Sequence, residues 1–236
     1  MKGNVDWNCH LLPAMRERIT DLTETVEAMK ILSERFSLKR FCMMPDYDSQ
    51  KETISMFLLR RFRSQEMLEP FIPKDFKIRY AGRALLNPEL YKTEGLEKLC
   101  VFKEKYLPLL LPVGEYADWI DLELNRLLYK SRFKLFLTSC ELYPIFYPDN
   151  VLERLFRMEN TIYQFNYKSL SEPSLCCLIS SLIRKNKTVL LGTSLDFLPK
   201  TWQYDLNYYL SASEEHMYIT TLDALLKNNL NFWSHG

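Results

Sequence analysis

The sequence predicts an α/β domain built as a seven-stranded (β/α) barrel, and three observations lead there. Short apolar, β-branched or aromatic runs alternate along the whole chain with longer segments of helical period, the pattern of βα units around a parallel sheet. Seven such runs can be counted, at 4–11, 38–44, 77–85, 106–112, 133–139, 161–167 and 188–193. The 236 residues suit one large core, and no repeat or linker marks a boundary, so a single domain over 1–236 is expected.

The elements follow in order. After the first run, Thr23-Glu24-Thr25-Val26-Glu27-Ala28-Met29 leads into Ile31-Leu32 with the polar start of a helix. Residues 51–68 and 117–129 have apolar side chains recurring at three and four, as with Trp119, Leu122, Leu124, Leu127 and Leu128, which predicts helices with core-facing stripes. Pro173, behind Ser171-Glu172, fits a first helical turn, where its missing N–H costs no bond. Residues 202–233 read as an aromatic-rich helical tail, with Tyr204, Tyr208 and Tyr209 near one side, expected to pack across the barrel.

Composition narrows the function. Hydrophobic residues at 47% against 26% charged exclude disordered and fibrous classes. A net charge of +1 supplies no field towards nucleic acid or an anionic membrane, so neither is an expected partner. There is no signal-peptide pattern and no apolar run of about 18 residues, so a cytoplasmic location without membrane insertion is expected. The six cysteines, Cys9, Cys42, Cys100, Cys140, Cys176 and Cys177, show no CxxC spacing and read as buried free thiols. No GxSxG elbow, P-loop, HExxH or GxGxxG occurs.

In a βα barrel, function sits on the loops beyond the C-terminal strand ends. The polar residues there are Asn8 and His10 after the first run, Asp46 after the second, Arg83 at the third, Glu141 after the fifth, Asn166 and Lys168 after the sixth, and Ser194 and Asp196 after the seventh. A lone histidine such as His10 is more often hydrogen-bonded in a core than ligating. Asp46 and Asp196 are equally suited to capping helices. Arg83, on an inward strand position, must be paired or meet an anion.

These residues carry a resemblance. "DWNCHLLPAMRER" followed by "TDLTETVEAMKILSERF" resembles the "DxHxHxLPGxDDG" opening and helix of the PHP (polymerase and histidinol phosphatase) superfamily, in its bacterial capsule-locus tyrosine-phosphatase branch. "FCMMPDY" is similar to that branch's "TPHY", "AGRALLNPEL" to "GxExxxxPEL", "FLTSCELY" to "AHxERY", "YQFNYKSL" to "INxxS", and "LLGTSLDF" to "ASDxH". The resemblance implies a distorted TIM-like barrel and a cluster of manganese-, iron- or zinc-type ions that activates water against a phosphate ester. It also implies that the arginine of "ERY" grips the phosphate.

Carried over position by position, most of that chemistry is absent. Asn8 stands for the first histidine of HxH and His10 for the second; the acidic pair is Arg16-Glu17; Asp46 replaces the histidine of "TPHY"; and Arg83 stands where a bridging carboxylate is implied. Cys140 falls at the implied histidine of "AHxERY" with Glu141 beside it, Leu142 replaces the implied phosphate-gripping arginine, and Ser194 and Asp196 replace the Asp and His of "ASDxH".

Two close divalent ions need several anionic or imidazole ligands, and arginine cannot deprotonate to become one. The leading expectation is therefore a catalytically inactive phosphatase-like protein, without a cofactor, that binds or regulates in capsular or exopolysaccharide biosynthesis. Its relic pocket comprises Asn8, His10, Glu17, Asp46, Arg83, Cys140, Glu141, Ser194 and Asp196, with Arg16 or Arg18 and Arg83 pairing its carboxylates. One alternative is a phosphoesterase or tyrosine phosphatase with a reduced metal site of His10, Asp46, Glu141 and Asp196. A second is an anion- or phosphopeptide-binding scaffold using Arg16, Arg18, Arg83 and Lys168, whose partner is a tyrosine-rich or phosphorylated tail of the polysaccharide machinery.

Overall fold

The computed structural model describes residues 4–15, 21–102, 106–194 and 206–234. Nine strands alternate with helices in the order β1 (Asn4–Cys9), α1 (Leu22–Phe36), β2 (Leu38–Met43), β3 (Asp46–Tyr47), α2 (Ile54–Leu68), β4 (Lys77–Tyr80), β5 (Arg83–Leu85), β6 (Tyr106–Leu110), α3 (Trp119–Asn125), β7 (Lys134–Leu137), α4 (Tyr143–Phe146), α5 (Asp149–Arg157), β8 (Thr161–Asn166), α6 (Pro173–Arg184), β9 (Thr188–Gly192), α7 (Leu206–Glu214) and α8 (Ile219–Ser234). Every strand pairing between them is parallel.

The predicted seven-stranded barrel is corrected in one respect. The strands form two sheets, β1-β2-β4 and β3-β5-β6-β7-β8-β9, rather than one closed ring of seven. One predicted run, 77–85, is broken in two at Gly82, and one strand beyond the predicted seven, β3, forms past the end of the run 38–44, on the far side of Pro45. Pro45 has no N–H to give and separates β2 from β3, while its carbonyl accepts from Arg83 N at 2.9 Å. Gly82 separates β4 from β5 and donates instead to Leu99 O at 3.0 Å. A side chain there would collide with Leu99 and Phe57, at 2.7 and 2.9 Å from its Cβ.

Side chains bridge the seam between β1 and β9. The Asn229 amide of α8 behaves there like an inserted peptide group: its Oδ1 accepts from Leu191 N at 2.7 Å and its Nδ2 donates to Val5 O at 3.2 Å. Tyr167 Oη also donates to Val5 O, at 2.9 Å. One turn along, the fully buried Asp6 carboxylate accepts from Thr193 N at 2.8 Å, from Asn8 N at 3.1 Å and from the Thr193 hydroxyl. At the strand ends Ser194 N donates to Asn8 O at 2.7 Å.

Buried apolar side chains form two clusters. The larger lies between strands and helices and holds Leu32, Phe41, Leu109, Tyr163 and Ile179. The smaller gathers around Trp7, which meets Phe102, Phe136 and Phe232 edge-on at 5.7, 6.3 and 5.3 Å between centroids, with Trp233 at 5.5 Å. Trp7 Nε1 finds its acceptor in Asn229 O at 3.1 Å.

The predicted helices form, but not all of their stripes face inwards. Leu124 and Leu127 are buried as expected, whereas Leu122 and Tyr129 are exposed. A π-helical turn over Arg126–Lys130 follows α3 and changes the phase of the apolar repeat. On α2 the predicted core stripe is mostly on the outside: Met56, Leu59, Phe62 and Met67 are exposed, and Ile54, Phe57 and Leu68 face the core. The aromatic tail is two helices; Tyr209 is buried against Phe36, Tyr208 is exposed, and Tyr204 lies outside the described residues. No helix among the described residues is long and apolar enough to cross a membrane.

Candidate functional site

The C-terminal strand ends converge on a buried polar network centred on Asn8 of β1. Its Nδ2 donates to Gln164 Oε1 of β8 at 2.9 Å and to Ser194 Oγ at 3.0 Å, with Ser139 Oγ at 3.5 Å. Gln164 is held by the remainder of its amide: Oε1 also accepts from Ser139 N at 3.0 Å and Nε2 donates to Phe165 O at 2.7 Å. Asn8 Oδ1 is buried without a hydrogen-bond partner among the described residues.

Backbone geometry brings the two serines in. Ser139 and Ser194 both adopt left-handed φ values, 55° and 49°, which turn the chain sharply beyond β7 and β9 and place their hydroxyls 3.5 Å apart. Gly192 is needed beneath them, because a Cβ would stand 2.7 Å from Asn8 N and 3.0 Å from Gln164 Nε2.

Arg83 borders this network as its cation. β3 and β5 pair Asp46 directly with Arg83, and the ion pair Arg83 Nε–Asp46 Oδ1 is 2.6 Å long. Arg83 Nη1 also donates to Ser139 Oγ at 3.4 Å, joining the pair to the amides. The guanidinium side chain is 6% exposed, so its charge is balanced within the fold rather than by water.

Glu141 lies in the turn after β7, where Oε2 accepts from Asn166 N at 3.0 Å. Burial raises its carboxyl above the ordinary range, against backbone hydrogen bonds and the charge of Arg83. Lys168 and Asn166 share with Glu141 the lining of a cleft of about 750 Å³ between the β7 and β8 ends, the start of α6 and α7. Burial likewise raises the carboxyl of Asp6, with hydrogen bonds from Thr193 opposing it.

The structure thus gathers Asn8, Asp46, Arg83 and Ser194, with Glu141 alongside, and buries His10 directly after β1. Cys140, expected in the pocket, is elsewhere. Its thiol points into the apolar layer, donates to Leu137 O at 3.3 Å and is pushed far up by burial, so Ser139 occupies the position facing the strand ends. Arg16, Glu17, Arg18 and Asp196 lie outside the described residues. Sequence reading overlooked Gln164 and Asp6. Their signal was a polar side chain inside an apolar strand, which a buried sheet admits only when it is hydrogen-bonded.

Among the described residues, which leave out Glu17 and Asp196, the donor set is a poor match for the metal cluster that the motifs imply. Among the described residues no three His, Cys, Asp or Glu side chains come together as a metal site. The carboxylate of Asp46 is already engaged by a guanidinium that cannot give up its proton.

No protein-family model and no curated protein sequence matches the chain. Among solved structures it is similar to a chain from the crystal structures of YwqE from Bacillus subtilis and CpsB from Streptococcus pneumoniae, described as unique metal-dependent tyrosine phosphatases. That similarity has a TM-score of 0.70 at 14% identity and covers 95% of this chain and 92% of the other. It is also similar to an amidohydrolase from Burkholderia ambifaria with bound zinc, at a TM-score of 0.50 and 8% identity, over 98% and 85% of the two chains. The chain therefore has the α/β fold on which the YwqE and CpsB phosphatases are built.

Proposed function

We propose that this protein is a catalytically silent relative of the PHP-type phosphatases, with a binding or regulatory role in the production of capsular or other surface polysaccharide. The observation that carries the reading is the Arg83–Asp46 ion pair at the strand ends. A guanidinium there ties up a carboxylate and adds a permanent positive charge where the motif resemblance implies a bridging anion between cations. The order of the motifs along the chain and the fold shared with YwqE and CpsB support the phosphatase-like half of the proposal.

The binding half is assigned to the cleft beside the network, lined by Lys168, Tyr208 and serines at the start of α6. A tyrosine-rich or phosphorylated protein tail suits its mixture of rings, hydroxyls and one ammonium group.

The test combines two measurements. Protein purified without chelator is assayed for manganese, iron and zinc, and for hydrolysis of an aryl phosphate with added manganese. Substoichiometric metal and hydrolysis at the buffer rate are expected. Stoichiometric metal with activity abolished by His10→Ala would overturn the silent reading. Saturable, salt-sensitive binding of a phosphotyrosine peptide, weakened by Lys168→Glu, is expected in the second measurement, and its absence removes the binding role.

A further inference from the structure

We propose that α2 is a dimerisation helix, packing antiparallel against α2 of a second copy of this chain across a two-fold axis. Met56, Leu59, Phe62 and Met67 of α2, with Phe71 just beyond it, are each 47–59% exposed on one side of the molecule. The opposite side of the same helix is anchored by Ile54, Phe57 and Leu68 in the core and by Ser64 Oγ, which donates to Pro13 O at 2.6 Å. The helix is thus apolar on both faces, and only one of them is covered by the described residues.

Five half-exposed side chains of this size leave an apolar patch on the order of 500 Å², large for a monomer. It is also about the apolar fraction of one face of a homodimer that buries roughly 800 Å² per subunit.

The order of residues on the outward face identifies the occupant. At 100° per residue that face reads, from Leu59 onwards, Leu59, Phe62, Arg63, Glu66, Met67, continuing to Pro70 in the turn that follows, with Ser55 and Met56 on the same face one turn earlier. This order is self-complementary about the midpoint between Ser64 and Gln65. Reversed on a second copy, it sets Phe62 opposite Met67, Leu59 opposite Pro70 and Arg63 opposite Glu66, so apolar meets apolar and cation meets anion twice. Arg63 and Glu66 are both exposed and placed to be those partners. An unrelated partner has no need of that symmetry.

Sedimentation velocity of the full chain over a concentration series tests the proposal. A dimer is expected, with Phe62→Glu, and Leu59→Ser as a milder variant, weakening it about tenfold or more while melting behaviour is retained. Arg63→Glu and Glu66→Arg should each weaken the dimer, and the two together should restore it. A wild-type chain that stays monomeric at about 100 µM overturns the proposal. So does a dimer indifferent to Phe62→Glu and Leu59→Ser, or a charge reversal in which the double variant remains as weak as the singles.

Discussion

Asn229→Ala should open the seam between β1 and β9. The side chain is 1% exposed and makes three hydrogen bonds, accepting from Leu191 N at 2.7 Å and donating to Val5 O and Tyr167 Oη at 3.2 Å each. Val5 O keeps the Tyr167 hydroxyl as a donor after the substitution, so the severe loss is at Leu191. Its buried N–H is left with nothing to meet, at a cost of about 1–3 kcal/mol, and the two longer bonds add roughly 0.5–1.5 kcal/mol each. A total near 3 kcal/mol corresponds to a fall in melting temperature of roughly 6–12 °C for a domain of this size. Asn229→Asp separates the terms, because Oδ1 still accepts from Leu191 while the donor to Val5 is gone. Thermal unfolding followed by circular dichroism measures both variants. A fall of under about 2 °C for Asn229→Ala would refute the idea that this amide substitutes for a missing ladder.

Three further outcomes follow. Arg83→Met takes the guanidinium away from the Asp46 carboxylate, which is a quarter exposed, so a loss of about 2–3 kcal/mol in urea unfolding is expected; an unchanged midpoint would mean that the pair is solvated. Gly192→Ala drives a methyl group against the Asn8 backbone and should cost about 1–3 kcal/mol, with retained stability showing that β1 can yield. Burial raises the Asp6 carboxyl, so the folded chain takes up this proton before the unfolded chain does. The contribution of Asp6 to stability therefore declines as pH rises from the unfolded value near 3.8 through the higher folded value, and is level above it. Asp6→Asn preserves an Oδ1 acceptor for Thr193 and Asn8, and urea midpoints against pH should lose that decline; parallel curves for the two proteins would exclude the assignment.

Much of the fold is legible in the chain because a parallel strand buried on both faces must be apolar throughout, as Thr188–Gly192 and Lys134–Leu137 largely are. Periodicity could not show that Gly82 would split the run 77–85 into two strands or that β3 would form beyond Pro45, since both depend on which carbonyl and N–H lie across from them. Nor could it show which side of α2 faces the core: both sides are apolar, and only the packing of Phe57 and Leu68 decides. At the strand ends, the pairing of Arg83 with a carboxylate followed from the cost of burying an unbalanced charge, and Asp46 was among the named partners. The placement of Cys140 was not legible. The left-handed turn at Ser139 rotates the next side chain into the apolar layer, and a motif laid out by spacing alone carries no record of that rotation.

The Asn229 seam has a bearing on how the molecule is made. Trp7 and Val5 wait on Asn229, 222 and 224 residues downstream, and Asp6 waits on Thr193, 187 residues downstream. As the chain emerges from the ribosome, β1 can pair with β2 early, but its other edge keeps bare carbonyls and an uncompensated carboxylate until α8 has been synthesised. Contacts this distant in sequence close slowly, because the loop entropy is spent before they form. β1, translated ahead of the eight other strands described, is thus among the last to be secured, and a chain truncated before residue 229 is left with an open strand edge on which aggregation can begin.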